Sequence, residues 1–128
     1  MTTPQERFRT LACFNELLDL ACVDSELPEA LRAGAWALRG SFPDGSGLSA
    51  LVESGRQGLP TETAEVLLAG DKWLFELGRC ELLSNELRRW WVWMDRHFPT
   101  RRDIQDQVEA ANHPRSTLRP GIDSWIQP

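Results

Sequence analysis

The sequence predicts an all-α fold: two copies of one helical hairpin packed as a single helical bundle, followed by an irregular C-terminal tail. Three observations carry that prediction. The chain repeats itself. A shift of 56 residues lays Leu27-Pro28-Glu29-Ala30-Leu31-Arg32 on Leu83-Ser84-Asn85-Glu86-Leu87-Arg88, Leu38 on Met94, Phe42-Pro43 on Phe98-Pro99 and Val52-Glu53 on Val108-Glu109. A shift of 57 brings Leu11 onto Leu68 and Leu17-Leu18 onto Leu74-Phe75, so one loop deletion reconciles the halves. Such a period marks a repeated supersecondary unit. Apolar residues also recur at three- and four-residue spacing, and no segment alternates as a strand would. Finally, helix-starting and helix-stopping residues punctuate both halves at matching places. The expected organisation is one domain over residues 1–128, with repeat one at about 4–55, repeat two at about 61–111 and a tail at 112–128.

Each element has a local cause. Thr3-Pro4-Gln5-Glu6 is a capping box with proline at the first helical position, where its missing N–H costs nothing. Leu11, Phe14, Leu18 and Ala21 then form the buried stripe of the first helix. Pro28 opens a second helix running to about Gly40, with Leu31, Ala35, Leu38 and Phe42 inward. The breaker-rich stretch Phe42-Pro43-Asp44-Gly45-Ser46-Gly47 stops it, and a short helix from Leu48 to about Ser54 follows. After a joint at Arg56-Gln57-Gly58-Leu59-Pro60, Thr61 is expected to cap a long helix from Glu62 to Cys80 with Leu67, Gly70, Leu74 and Leu77 on its inner side. Gly70 and Gly78 weaken that helix by about 1 kcal/mol each relative to alanine, which suggests close helix crossings. Ser84 caps the next helix, about 85–97, whose core line is Leu87, Trp91, Met94 and Phe98. Thr100-Arg101-Arg102-Asp103 resembles a capping box and starts a helix to about Ala111. Trp125 and Ile126 are expected to pin the tail.

Composition narrows the function. At 128 residues the chain can bury one real core, and 41% hydrophobic with 26% charged residues excludes a globally disordered chain. A net charge of −5 argues against a general nucleic-acid or membrane-surface binder. The charge is uneven: residues 1–83 carry 7 basic and 13 acidic side chains, residues 84–128 carry 7 and 6. Three cysteines, Cys13, Cys22 and Cys80, lie within helical patterns, with no signal peptide and no apolar run of ~18 residues, so a reduced cytoplasmic setting is expected.

No enzyme signature is present: no H-E-x-x-H, C-x-x-C or G-x-S-x-G, and no phosphate-binding glycine loop. No catalytic residue, metal ligand or cofactor is therefore expected. His97 sits near a helix C-terminus, where an imidazole interacts favourably with the dipole. The one segment with chemical character is Arg88-Arg89-Trp90-Trp91-Val92-Trp93-Met94-Asp95-Arg96. Trp93 lies about 120° around the helix from Leu87, between Arg89 and Arg96, and each repeat is expected to hold one tryptophan outward. Three readings compete for Trp93: cover by another part of the chain, such as the tail around Trp125, a protein-binding hot spot, or a stacking platform for nucleic acid with arginine clamps. The second makes Arg89, Trp93, Arg96, Arg101 and Arg102 the candidate partner-binding residues. A rival surface is acidic, around Glu62, Glu65, Asp71 and Glu76.

The opening Met1-Thr2-Thr3-Pro4-Gln5-Glu6-Arg7 and Leu27-Pro28-Glu29 resemble a family of small proteobacterial proteins that open M-T-x-P-x-E-R and end their second helix at Arg-His-Tyr-Pro or a close variant. The likeness covers about residues 1–48. It departs at Gly40-Ser41-Phe42-Pro43, whereas Arg96-His97-Phe98-Pro99 in the second repeat is nearer. That family has no known activity to carry over. In kind, a short, acidic, catalytically bare chain bearing tryptophans is similar to the anti-CRISPR proteins, which occupy a surface on an interference complex or its nuclease. That likeness implies a non-enzymatic inhibitor with a protein partner. Two alternatives stand beside it: a self-associating structural protein pairing through the Trp93 face, and a small nucleic-acid-associated regulator using Arg88, Arg89, Arg101 and Arg102.

Overall fold

Hydrogen bonds at the helix starts follow the sequence closely. The computed structural model describes residues 3–54, 59–81, 83–112 and 126, and every regular element among them is a helix. These are α1 (Pro4–Val23), α2 (Glu29–Ser41), α3 (Gly45–Ser54), α4 (Thr61–Gly78), α5 (Asn85–His97) and α6 (Arg101–Asn112). At α1 the Glu6 amide donates to Thr3 Oγ1 (3.1 Å) and the Thr3 amide donates to Glu6 Oε1 (3.0 Å), the reciprocal capping box. Thr100 and Asp103 repeat it at α6, at 3.1 and 3.2 Å. Ser84 Oγ accepts from the Leu87 amide at 3.2 Å and starts α5.

Several boundaries differ from expectation, among them α2, which takes Pro28 as its cap, and α4, which ends at Gly78 and not Cys80. The third helix begins at Gly45, not Leu48, because Asp44 acts as its cap: its Oδ1 accepts from the Gly47 amide (2.9 Å) and its carbonyl from the Leu48 amide (2.8 Å). A side-chain acceptor just before two glycines outweighs their poor helix propensity. Thr61 is the first residue of α4 instead of its cap, and Pro60 takes the cap position without a side-chain bond. The joint at Arg56-Gln57-Gly58 and Trp125 fall outside the described residues.

Packing is organised around four helices. α1 and α4 each pack against both α2 and α5, while α3 lies on α1 and α6 on α4. The centre is aromatic. The Phe14 ring lies 4.6 Å from that of Phe42, 4.9 Å from Phe98 and 6.0 Å, edge-on, from Trp73. Gly70 makes room for this cluster, since a Cβ there would stand 3.2 Å from both Phe42 and Phe98. The inward lines Leu31-Ala35-Leu38-Phe42 and Leu67-Gly70-Leu74-Leu77 are buried as expected. Ile126 is buried too, which ties that point of the tail to the core.

Two tryptophans cross glycines, and the same physics recurs at each. Trp73, 4% exposed, lies over Gly34 of α2 and donates its indole N–H to the Leu31 carbonyl at 2.9 Å. Trp91 lies against Gly78 of α4 and donates to the Leu74 carbonyl at 2.8 Å. A buried indole needs a partner for its one donor, and a missing Cβ lets the ring approach the backbone that supplies it. Trp91 is half-buried, not fully buried as its core line implied, and its ring lies against Gly78, the last residue of α4. Trp73 and Leu17 are core residues absent from the expected stripes.

Candidate functional site

On α5 the outward row is Asn85, Arg89, Val92 and Arg96, spaced four, three and four residues apart, with Arg88 beside it; all five are exposed. This spacing keeps one helix face in line. Val92 is 49% exposed and stands between the arginines. The opposite side of α5 carries Leu87 and Met94 into the core.

The expected site residues divide. Arg89 and Arg96 lie on this outward row, and Arg101 and Arg102 are exposed on the first turn of α6. Trp93 does not join them. It is half-buried, packs against the core and meets His97 edge-on at a ring separation of 5.6 Å. His97 in turn places Nδ1 3.1 Å from Glu6 Oε2 of α1. Trp93 is thus held beside the α1–α5 contact, with Val92 in the outward place expected of it. On α2, Trp36 stands as far from the helix start as Val92 does on α5, and it is outward and 58% exposed. Angle alone placed Trp93 on a flank, and the flank that α1 covers is known only from the packing.

Glu6 joins two structural roles, completing the α1 capping box and meeting His97 of α5. Its carboxyl sits below the usual carboxylate range, held there first by the Thr3 backbone amide, then by the Thr3 hydroxyl, with a smaller contribution from His97. Arg7 Nη2 reaches Asp103 Oδ2 at 4.0 Å and links the start of α1 to that of α6. These contacts fix where α5 ends and α6 begins, and so position Arg96, Arg101 and Arg102.

A second feature is a mixed-charge cleft lined by Leu68, Asp71, Lys72 and Phe75 of α4, Asp95 of α5 and Arg101 of α6. Burial pushes the Asp71 carboxyl up, Asp95 adds to the rise, and Arg101 opposes it. The folded state therefore holds the Asp71 proton more tightly than the unfolded chain does. Its stabilising contribution is greatest in acid and is lost as pH rises from the ordinary 3.8 through the higher folded value. Asp71→Asn should match wild type in strong acid and be the more stable form at neutral pH, as read by denaturant titration at both. A less stable asparagine variant at neutral pH would show that attraction to Arg101 dominates.

Among the described residues, no three His, Cys, Asp or Glu side chains are grouped to hold a metal ion, and no helix is long and apolar enough to cross a membrane. Cys13, Cys22 and Cys80 are free thiols, and burial pushes those of Cys13 and Cys22 up, away from the reactive thiolate. The chain matches no protein-family model, no curated protein and no solved structure.

Proposed function

We propose that the chain is a non-enzymatic binding protein that masks a partner's surface, in its most specific form an inhibitor of the anti-CRISPR kind acting on an interference complex or its nuclease. The observation that carries this reading is the outward row of α5. Arg88, Arg89 and Arg96 surround an exposed valine on a chain of net charge −5. Arginine presents a planar fork that suits carboxylates, and Arg-rich patches around an apolar centre are typical of binding hot spots. Arg101 and Arg102 extend the surface. The partner face is accordingly acidic with an apolar centre, and a protein meets that description better than a uniformly charged nucleic acid.

Affinity capture from host lysate tests this. The wild-type chain should retain a protein that the double variant Arg89→Glu/Arg96→Glu loses, with the variant's thermal midpoint unchanged. Capture of nucleic acid alone, weakening steeply with salt, would sink the protein-partner reading.

We infer that α2 and α5 are counterparts in a duplicated chain, a reading supported by spacing. The starts of α2 and α5, and of α3 and α6, are 56 residues apart. The same shift pairs the buried Leu11 with Leu67, Phe14 with Gly70, Leu18 with Leu74 and Ala21 with Leu77. The starts of α1 and α4 are 57 residues apart, in keeping with the one-residue loop deletion between the halves. Phe14 facing Gly70, and Phe42 beside Phe98, are what a pseudo-twofold axis would bring together. In this reading the outward faces of α2 and α5 began alike and diverged, one keeping Trp36 and the other gaining arginines.

A further inference from the structure

We infer that the outward face of α2 is a self-association surface whose occupant is a second copy of this chain, paired antiparallel across a twofold axis. The face reads Glu29, Ala33, Trp36 and Gly40 at four-, three- and four-residue spacing, all exposed, and Ala37 flanks it. One large side chain thus stands among small ones. A Cβ built at Gly40 would meet nothing within 4 Å.

Trp36 is held ready. The Arg39 guanidinium lies 5.2 Å from its ring centroid, and Arg39 Nε is itself fixed by Asp19 Oδ1 of α1 at 2.7 Å. A side chain already ordered loses less freedom on association, which favours binding. Trp36 is also exposed more than half, the condition in which an aromatic hot spot awaits its partner.

Charge selects the occupant. Antiparallel pairing of two α2 helices about a dyad between Gly34 and Ala35 lays each Trp36 across the opposing Ala33 and brings Glu29 of each copy opposite Gly40, one residue from Arg39, of the other. Knob meets gap, and acid meets base, twice over, as a twofold interface requires. The α5 row cannot pair with itself in this way, because Arg88, Arg89 and Arg96 would face their own kind. The two faces therefore take different partners, and this inference stands whether or not the α5 reading holds.

The contact is modest. A helix of 13 residues is about 20 Å long, and one face of it covers less than the roughly 800 Å² per partner of a standard interface. A weak dimer with Kd in the micromolar range follows.

Sedimentation equilibrium of the full chain over about 1–500 µM tests it. Wild type should pass from monomer to dimer across that range. Trp36→Ser and Ala33→Arg should each raise the dimer Kd by more than about a hundredfold, since both copies of the contact are lost at once. Both positions are exposed, so the thermal midpoint should hold, and circular dichroism checks that the variants fold. Arg89→Glu/Arg96→Glu should leave the dimer intact. A wild type still monomeric at the top of the range overturns the proposal, as does a dimer indifferent to Trp36 and Ala33 or one abolished by the α5 reversal.

Discussion

Trp73→Ala should destabilise the chain by about 3–5 kcal/mol, the range for deleting a buried aromatic. Three losses coincide. The ring leaves a hole between α2 and α4 that Gly34, having no side chain, cannot fill. The edge contact with Phe14 disappears. The Leu31 carbonyl loses the donor it accepts at 2.9 Å. With total stability of about 5–15 kcal/mol for a domain, this is a large share. Urea unfolding followed by circular dichroism reads it as a lower midpoint. Loss of less than about 1 kcal/mol would show that the α2–α4 contact is not built on Trp73.

Phe14→Ala should cost a similar amount, about 3–5 kcal/mol. Phe14 has no exposed surface and touches Trp73 of α4 and Phe42 and Phe98, the residues that cap the ends of α2 and α5. Removing it opens the junction where all four central helices meet, and the facing position, Gly70, offers nothing to collapse into the space. Val92→Ala is the contrast: its side chain is half-exposed, and truncation should change the unfolding midpoint little. Equal losses at Phe14 and Val92 would mean that the helical phases described here are wrong.

Much of this was legible before any packing was known. Thr3 with Glu6, Ser84, and Thr100 with Asp103 start their helices because a side-chain acceptor and a nearby backbone donor are a local matter. The inner lines of α2 and α4 follow from spacing within one helix. Trp73 was not legible, because its burial depends on Gly34, far away in sequence, and nothing within α4 announces that partner. Trp93 was misdirected for a related reason. A residue on a helix flank is outward or covered according to which neighbour packs there, and α1 closes that side of α5 through Glu6 and His97. The positions most opposite the core line are Asn85, Arg89, Val92 and Arg96, so the row itself was available from the helical wheel.

The central claim is that the chain meets its partner through the outward arginines of α5 and not through the acidic side chains Glu62 and Glu65 of α4. Calorimetric titration of the captured partner into wild type, Arg89→Glu/Arg96→Glu and Glu62→Lys/Glu65→Lys tests it most directly. The arginine reversal should weaken binding by roughly thirtyfold or more, while the glutamate reversal should leave affinity within about threefold of wild type. Binding that survives the arginine reversal and fails on the glutamate reversal would contradict it.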